Sequence, residues 1–394
     1  MAEDPEDWNL ATRLVRGGLA RSPYGETAEA LYLTQSYVYE SAEVADARFA
    51  GTQAGYVYSR YGNPTVQMFE DRLALAEGAQ ACRATASGMA AVFLALTGLL
   101  RAGDHVISGK ALFGSCRWIL TTWAPRFGIA ATLVDGPDLN AWRSAVRPNT
   151  KLFFLESPAN PLLEICDIAA ICAIAREAGA KVVVDNVFAT PILQAPLKLG
   201  ADIVVYSATK HIDGQGRVLG GAVLGAKSLL EEAYRDFIRH TGPTLSAFNA
   251  WVLLKGLETL DLRVRAQCAT AALLADRIAG HAKVRACRYP SRPDHPQHEI
   301  AMRQMRGGGS LIAFDLGSAE AAFKFLNRME LIDISNNLGD AKSMATHPST
   351  TTHRPLTEAQ RLEIGLTPGW VRLSVGLEDE ADLARDVERA LDRS

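Results

Sequence analysis

Residues 202–221 read DIVVYSATKHIDGQGRVLGG. The segment begins with a short apolar, β-branched run that is typical of a buried strand, and it continues through small hydroxyl residues to Lys210 and a glycine-rich turn. In an open α/β sheet, ligands bind beyond the carboxyl ends of the strands. Because most lysines lie on solvated faces, a lysine at such a strand end, flanked by apolar sequence, indicates a functional amine.

The sequence upstream of this segment predicts an α/β fold. Further short apolar runs occur there, and helical patterns such as IAAICAIAREAGA lie between several of them. This alternation favours a mostly parallel sheet with helices on both faces. The predicted strands before residue 202 are HVISG, ATLVDG, KLFFLES and KVVVDN.

The chain divides into three predicted regions. Residues 1–60 lack strong periodicity and predict an extended arm on a neighbouring subunit, because long irregular segments are uncommon unless they are functional or pack on a partner. Residues 61–255 form the predicted α/β domain. After one long helical stretch, NAWVLLKGLETLDLRVRAQCATAALLADRIAG, the predicted strands SLIAFDLG and WVRLSVGLE indicate a smaller α+β domain over residues 256–394.

Composition excludes several classes of protein. The 394 residues are 48% hydrophobic and 22% charged, with a net charge of -3, so we expect a globular protein that binds neither nucleic acid nor an anionic membrane. The six cysteines include no CxxC pair and predict neither a zinc site nor a disulfide framework. The acidic start lacks the apolar core of a signal peptide, and no apolar run reaches the ~18 residues of a membrane span, which predicts a cytoplasmic protein.

Two strand ends carry complementary chemistry. Asp185 closes the run VVVDN, and Lys210 follows the next predicted strand, so both side chains are expected in one crevice. Either residue alone is more typical of a turn or a cap. Together they suit a ligand with an electrophilic carbon for the amine and a basic nitrogen for the carboxylate.

A phosphate site is predicted beside this pair. Ser207 and Thr209 supply hydroxyl donors, and Ser87, Gly88 and Met89 open an apolar helix whose free N–H groups attract anions. Ser87 alone would be read as a helix cap. An aldehyde-reactive lysine, an acid and a phosphate cradle together describe a site for pyridoxal 5'-phosphate (PLP).

Seven segments carry a family resemblance that covers nearly the whole chain. They are similar to the PLP-dependent enzymes of cysteine and methionine metabolism, namely cystathionine γ-synthase, the cystathionine and methionine lyases and the homoserine-ester sulfhydrylases. The resemblance implies an aspartate-aminotransferase-like fold, known as fold type I. The matching segments beyond YSATKHIDGQGRVLGG and VVVDN are YVYSRYGNPT (56–65), ATASGMAA (84–91), ESPANP (156–161), ATHPSTTTH (345–353) and VRLSVGLED (371–379).

The resemblance implies a role for each matching residue. It implies that Lys210 binds the cofactor covalently as a Schiff base and that Asp185 pairs with the pyridine nitrogen. It implies a phosphate site at Ser87, Gly88, Met89, Ser207 and Thr209, to which a neighbouring subunit adds Tyr58 and Arg60. It implies that Phe113 stacks on the ring, that Asn160 lies near the cofactor's 3' oxygen, and that Arg372, Asn337, Asn160 and Tyr58 contact the substrate, with Arg372 gripping its α-carboxylate.

Three departures narrow the implied activity. Phe113 replaces the tyrosine whose phenol assists proton transfer in the lyases, Ser115 replaces the reactive cysteine of methionine γ-lyase, and Asn337 stands where many relatives have serine. The lysine segment is most similar to that of the O-succinylhomoserine sulfhydrylases. We therefore expect a PLP-dependent γ-replacement that makes L-homocysteine and succinate from O-succinyl-L-homoserine and sulfide. Cystathionine γ-synthase and O-acetylhomoserine sulfhydrylase remain the alternatives, and the γ-lyases are disfavoured.

Readings from other classes find less support. A nicotinamide dehydrogenase needs a G-x-G-x-x-G turn after an early strand, and the sequence has none. His347 and His353 have no acidic or cysteine ligand nearby in sequence, so we expect a loop there and no metal site. The family resemblance further implies a homotetramer built from two dimers with shared active sites.

Overall fold

The computed structural model describes residues 5–394, and residues 1–4 of the predicted arm lie outside the described residues. The helices are α1 (Leu10–Arg16), α2 (Ala42–Ala50), α3 (Pro64–Glu77), α4 (Gly88–Thr97), α5 (Gly114–Trp118), α6 (Leu139–Ser144), α7 (Ile168–Glu177), α8 (Thr190–Leu193), α9 (Lys227–Leu229), α10 (Arg235–Thr241), α11 (Ala247–Leu257), α12 (Leu260–Ala279), α13 (His298–Gln304), α14 (Ala319–Arg328), α15 (Glu358–Glu363) and α16 (Glu380–Asp392). The strands are β1 (Ala81–Thr85), β2 (His105–Gly109), β3 (Ala130–Val134), β4 (Thr150–Glu156), β5 (Lys181–Asp185), β6 (Ile203–Ser207), β7 (Gly221–Gly225), β8 (Ala286–Arg288), β9 (Leu311–Asp315), β10 (Asp333–Ile334), β11 (Met344–Thr346) and β12 (Trp370–Ser374).

The larger sheet has the strand order β1-β7-β6-β5-β4-β2-β3. Only β7 runs against its neighbours β1 and β6, and the remaining pairs are parallel. Along β5, Val183 packs on the face that α4 covers, whereas Val182 and Val184 pack on the face that α7 covers. This two-sided burial explains why these strands read as continuous apolar runs. The prediction of a mostly parallel sheet between helices is confirmed.

The smaller sheet lies in the C-terminal part of the chain, with the order β10-β11-β12-β9-β8. It is mainly antiparallel, and only the short β10 pairs in parallel, with β11. Side chains of α12, α14 and α16 pack against this sheet and form a core of their own. The predicted smaller α+β unit is therefore present, and β12 within it includes Arg372.

The prediction of one long helical stretch is wrong in one respect, because this segment forms two helices. α11 ends at Leu257 and α12 begins at Leu260. Arg263 supports the break, since its guanidinium donates to the carbonyl of Gly256 at 2.8 Å and to the hydroxyl of Thr259 at 3.1 Å. The break lets α11 pack on α3, while α12 continues into the smaller core. Within residues 5–394, no helix has both the length and the apolar character to cross a bilayer.

The N-terminal segment is less extended than the sequence predicts. It includes α1 and α2, and Leu14 of α1 is fully buried in the larger core. A second anchor is Glu29, which accepts a hydrogen bond from buried Arg72 of α3 at 2.5 Å. Several apolar and aromatic side chains between α1 and α3 remain exposed in the single chain, among them Tyr24 by 95% and Val38 by 94%.

Candidate active site

Lys210 lies in a turn directly after β6 and faces a cavity of about 250 Å³. The cavity opens where β4, β5 and β6 end, as expected for a site at the carboxyl edge of a parallel sheet. Most of the predicted site residues therefore come together in one place. Those that line the cavity are Ser87, Gly88, Met89, Phe113, Asn160, Asp185, Ser207, Thr209, Lys210 and Arg372.

The environment of Lys210 favours its neutral form. Burial, and secondarily the positive charge of Arg372, lower the pKa of the Lys210 amine to about 8. The Nζ atom donates a hydrogen bond of 2.6 Å to Oδ1 of Asn337, which holds the amine at the cavity wall. A nucleophilic amine must be unprotonated, so this pKa leaves a usable neutral fraction near neutral pH.

Asp185 is the last residue of β5 and lines the same cavity as Lys210. Its Oδ1 accepts a hydrogen bond of 3.1 Å from the Val187 N–H, and burial raises the pKa of the carboxyl above its ordinary value. Glu156 ends the neighbouring strand β4 and is the register partner of Asp185. Burial, and then the Asp185 charge, raise the pKa of Glu156 as well. No site role was predicted for Glu156 from the sequence, although this residue ends a strand as Asp185 does.

The N-terminus of α4 forms the anion-binding end. Ser87 caps the helix through a 3.1 Å hydrogen bond from the Ala90 N–H. Among residues 5–394, the N–H groups of Gly88 and Met89 have no hydrogen-bond acceptor. A Cβ atom on Gly88 would lie 2.4 Å from Cβ of Ser207, so only glycine lets α4 approach β6 this closely. This leaves two free donors facing the cavity beside the Ser207 hydroxyl.

Thr209 lies at the same end, but its hydroxyl is bonded to the loop. Oγ1 donates to the Gly220 carbonyl at 3.2 Å and accepts from the Gly220 N–H at 3.1 Å. These bonds close the glycine-rich turn after Lys210. The predicted phosphate contact of Thr209 stays a prediction.

Arg372 places a buried guanidinium at the cavity. It lies in the middle of β12 and is 1% exposed, and burial lowers the pKa of its guanidinium to about 10, so it stays charged at neutral pH. Its Nη1 donates to Oδ1 of Asn160 at 2.9 Å and its Nη2 donates to the Asn336 carbonyl at 2.9 Å. Within the described chain, the buried Nε has no partner. A buried donor without an acceptor suits a charged group that awaits an anion.

Phe113 forms part of the cavity wall directly before α5. Its N–H donates to Oε1 of Glu156 at 2.6 Å, so the backbone that carries the ring is held by a side chain of the sheet. Ser115 does not line this cavity and borders a neighbouring apolar groove with Phe93 and Trp118.

Tyr58 and Arg60 are not brought to this cavity within one chain. They border a separate surface groove, and the Arg60 guanidinium lies 5.4 Å from the ring centroid of Tyr58 and also donates to the Arg239 carbonyl. Their predicted contact with the cofactor of a neighbouring subunit stays a prediction.

The histidines of the 345–353 loop bond to different groups. His347 contacts Oγ1 of Thr350 at 2.9 Å and the Pro368 carbonyl at 2.7 Å. His353 contacts Oγ1 of Thr352 at 2.8 Å, and Thr352 itself lines the cavity. The loop thus borders the site, with the two imidazoles held by separate partners.

Comparison with known proteins identifies the family. Residues 11–392 match the family described as Cys/Met metabolism PLP-dependent enzyme. The chain belongs to this family. The resemblance found in the sequence is therefore confirmed, and so is its cofactor, PLP.

Relatives within the Cys/Met metabolism family match nearly the full length. The chain is 55% identical to an O-succinylhomoserine sulfhydrylase of Mycobacterium tuberculosis, over 98% of this chain and 97% of the relative. It is 48% identical to an O-succinylhomoserine sulfhydrylase of Pseudomonas aeruginosa, over 98% and 96%. The crystal structure of an O-acetylhomoserine (thiol)-lyase from Campylobacter jejuni superposes with a TM-score of 0.94 at 31% identity, covering 98% of this chain and 100% of that one, and it carries an N'-pyridoxyl-lysine-5'-monophosphate.

The cavity fits the cofactor of this family. PLP needs an amine for its aldehyde, an acid for its ring nitrogen and donors for its phosphate. Lys210, Asp185 and the free N–H groups at the start of α4 supply these three in one cavity. The unpartnered Nε of Arg372 remains available for a substrate carboxylate.

Proposed function

We propose that this chain is a PLP-dependent transferase that converts O-succinyl-L-homoserine and sulfide to L-homocysteine and succinate. The observation that carries the proposal is the nearly full-length similarity to two O-succinylhomoserine sulfhydrylases. Phe113 supports it, because the cavity lacks at this position the phenol of the γ-lyases. This is a step of methionine biosynthesis in a cytoplasmic enzyme.

Lys210 has two roles in the proposal. Its amine holds the cofactor covalently, and once displaced by the amino acid substrate it removes the Cα proton. Bound PLP supplies an electron sink for the charge left at Cα. Both roles need an unprotonated amine, which the lowered pKa of Lys210 favours. The hydrogen bond to Asn337 offers a resting position for the amine between these tasks.

The other side chains position the reactants. Asp185 presents a carboxylate to the ring nitrogen, Phe113 packs on the ring, and the start of α4 binds the phosphate. Arg372 binds the substrate α-carboxylate and sets the Cα–H bond, while Asn160 fixes the guanidinium. Positioning of this kind contributes about 7–11 kcal/mol to rate enhancement. Succinate then departs from Cγ of the substrate, and sulfide adds at the same carbon.

We also propose how the chain is organised. Residues 1–60 form an arm on a neighbouring subunit, residues 61–255 the PLP-binding domain and residues 256–394 the C-terminal domain. The exposed apolar side chains of the arm support this proposal, because a second chain would bury them. In this arrangement Tyr58 and Arg60 complete the neighbour's site, and two such dimers form a tetramer.

Initial rates with two esters and two nucleophiles test the activity. The purified holoenzyme is given O-succinyl- or O-acetyl-L-homoserine with either sulfide or L-cysteine. We expect the highest kcat/KM for the succinyl ester with sulfide. A preference for cysteine would make the protein a cystathionine γ-synthase, and a preference for the acetyl ester would make it an O-acetylhomoserine sulfhydrylase. The second outcome is the alternative that the Campylobacter jejuni structure favours.

A further inference from the structure

Glu156 bonds to the backbone of two residues that line the cavity. It ends β4 and is 6% exposed. Its Oε1 accepts the Phe113 N–H at 2.6 Å and its Oε2 accepts the Asn160 N–H at 3.4 Å. Phe113 borders the cavity and Asn160 holds Arg372, so one carboxyl group anchors the backbone of both.

Glu156 also adjoins the carboxyl group of Asp185. The two residues are register partners on adjacent parallel strands. One carboxyl oxygen of each residue and Sγ of Cys116 all lie within 4.8 Å of one another. Two carboxylates this close in a buried site repel each other strongly, so the pair is far more stable with a single negative charge.

The surrounding groups do not neutralise a second charge. Burial raises the pKa of the Cys116 thiol well above its ordinary value, so α5 contributes a neutral group. Burial lowers the pKa of His353 to about 4, so this imidazole is neutral too. The basic residues that line the cavity bond to other groups: Lys210 donates to Asn337, and Arg372 donates to Asn160 and Asn336.

We propose that Glu156 is a positioning residue that keeps its proton while Asp185 is ionised, so that the pair presents one negative charge to the cofactor ring. The inference rests on the proposed function, in which Asp185 faces the ring nitrogen. Asp185 is the member of the pair that is partly exposed to the cavity, where a protonated ring supplies a countercharge. The partners of Glu156 are all neutral, namely two backbone N–H groups and the Cys116 thiol, so no cation compensates a charge on it and that charge would be less stable.

A neutral Glu156 keeps both of its anchoring tasks. A protonated carboxyl group still accepts at its carbonyl oxygen, and its hydroxyl oxygen retains a weaker acceptor site. The backbone that carries the Phe113 ring therefore stays fixed, and no second negative charge lies near the cofactor ring. Glutamine has nearly the same shape and is neutral at every pH. Its single amide oxygen can accept the 2.6 Å bond from the Phe113 N–H, whereas its NH2 group cannot accept the longer 3.4 Å bond from the Asn160 N–H. Glu156→Gln therefore imitates the charge of the proposed state and keeps the shorter anchor.

The test compares Glu156→Gln, Glu156→Ala and Asp185→Asn with the wild-type enzyme. The first measurement is the dissociation constant of PLP from the cofactor-free proteins at pH 7.5. The second is the absorption spectrum of the bound cofactor against pH. We expect Glu156→Gln to change the dissociation constant by less than ~3-fold and to leave the spectral transition in place. We expect Glu156→Ala, which loses both anchors, to weaken binding ~10-fold, and Asp185→Asn to weaken it ~100-fold and alter the spectrum.

A third measurement needs no cofactor. A carboxyl group whose pKa is raised by folding stabilises the folded chain below its unfolded pKa, and that stability is lost as pH rises through the folded pKa. Burial and the neighbouring Asp185 charge raise the pKa of Glu156, so the melting temperature of the cofactor-free wild type should fall as pH rises above about 5. The melting temperature of Glu156→Gln should fall less over the same pH range, because glutamine does not titrate. The fall that remains comes from the other buried carboxyl groups, which both proteins contain.

Two results would overturn the inference. A Glu156→Gln enzyme that loses PLP affinity and shifts its spectrum as Asp185→Asn does would show that Glu156 carries a charge. A Glu156→Ala enzyme that binds PLP as wild type does would show that Glu156 positions nothing. These comparisons are independent of the substrate, so a wild type that binds PLP and turns over neither ester would refute only the proposed function.

Discussion

At the scale of single residues, the pKa of Lys210 makes a direct prediction about cofactor binding. Below pH 8 most of the amine is protonated and cannot attack an aldehyde, so capture of PLP by the cofactor-free enzyme should accelerate as pH rises to about 8 and then level off. Stopped-flow absorbance from pH 6.5 to 9.5 measures this rate. Arg372→Gln is the informative comparison, because losing the neighbouring charge should move the midpoint upward. A flat profile in the wild type would contradict the assignment.

Arg372 makes a second prediction, this time about substrate binding. Replacing its planar guanidinium with an ammonium group in Arg372→Lys removes the two-pronged contact to a carboxylate and the bond to Asn160. We expect KM for the acylhomoserine to rise ~10–100-fold, or about 1.4–2.8 kcal/mol, with PLP content unchanged. An unchanged KM would exclude Arg372 from the carboxylate site.

The sequence identifies residues that carry their own chemical signal. Lys210 and Asp185 follow strand ends, and Ser87 opens a helix, so local pattern and general rules of α/β sheets bring them together. Glu156 was missed because its importance lies in its neighbours: the Phe113 N–H is 43 residues away in sequence, and the register with Asp185 appears only when β4 and β5 pair. The proposed roles of Tyr58 and Arg60 involve a second chain, and the pattern of one sequence does not show how two chains pack.

At the scale of elements, the close contact of α4 with β6 can be tested at Gly88. In Gly88→Ala the new Cβ would lie 2.4 Å from Cβ of Ser207, so α4 must move away from the phosphate end. We expect a loss of about 1–3 kcal/mol in stability and at least ~10-fold weaker PLP binding. Gly109→Ala is the matched control, since its Cβ would meet Trp142 at 3.8 Å and Cα of Gly136 at 4.0 Å, which are ordinary van der Waals contacts. Unaltered PLP affinity in Gly88→Ala would contradict the phosphate assignment.

The ion pair that fixes the arm gives a further prediction. Arg72 is fully buried on α3, and its guanidinium bonds to Glu29 and to the Gly17 carbonyl at 2.8 Å. Arg72→Met would remove the buried guanidinium from Glu29, which keeps the Lys255 amine at 3.0 Å, and would leave the Gly17 carbonyl without its donor. We expect a loss of about 1–3 kcal/mol in the free energy of unfolding, measured by chemical denaturation. Glu320→Gln, which removes an exposed pair with Lys324, serves as a control and should leave the transition in place. An equal effect of both variants would argue against a structural role for the buried pair.

The sequence predicted the strands that are buried on both faces. It did not predict strands that contain charged residues or glycine in place of a continuous apolar run. β2 to β6 are rich in apolar, mostly β-branched residues and were predicted. β1 is ACRAT, with Arg83 at its centre paired to Glu70 by 3.4 Å, and β7 is GAVLG with glycine at both ends. The antiparallel direction of β7 was not predicted either, because the spacing of apolar residues does not determine the direction of a strand.

At the scale of the whole molecule, the exposed arm predicts shared active sites. If Arg60 acts across a dimer, Lys210→Ala and Arg60→Ala chains are each inactive alone, yet a mixed dimer holds one site with both residues intact. Random reassembly should restore at most about a quarter of wild-type activity, since half of the dimers are mixed and each has one working site of two. Activity of the refolded mixture against the separate variants measures this. Failure to complement, with mixed dimers confirmed by mass, would place Arg60 outside the neighbour's site.

The central claim is that the amine of Lys210 captures PLP in this cavity. The most direct measurement reduces the holoenzyme with borohydride, digests it and locates the phosphopyridoxyl group by peptide mass spectrometry. The account predicts a single modified peptide with the group on Lys210, and loss of that peptide in Lys210→Ala. Modification of a different lysine, or no modification of a protein saturated with PLP, would contradict it.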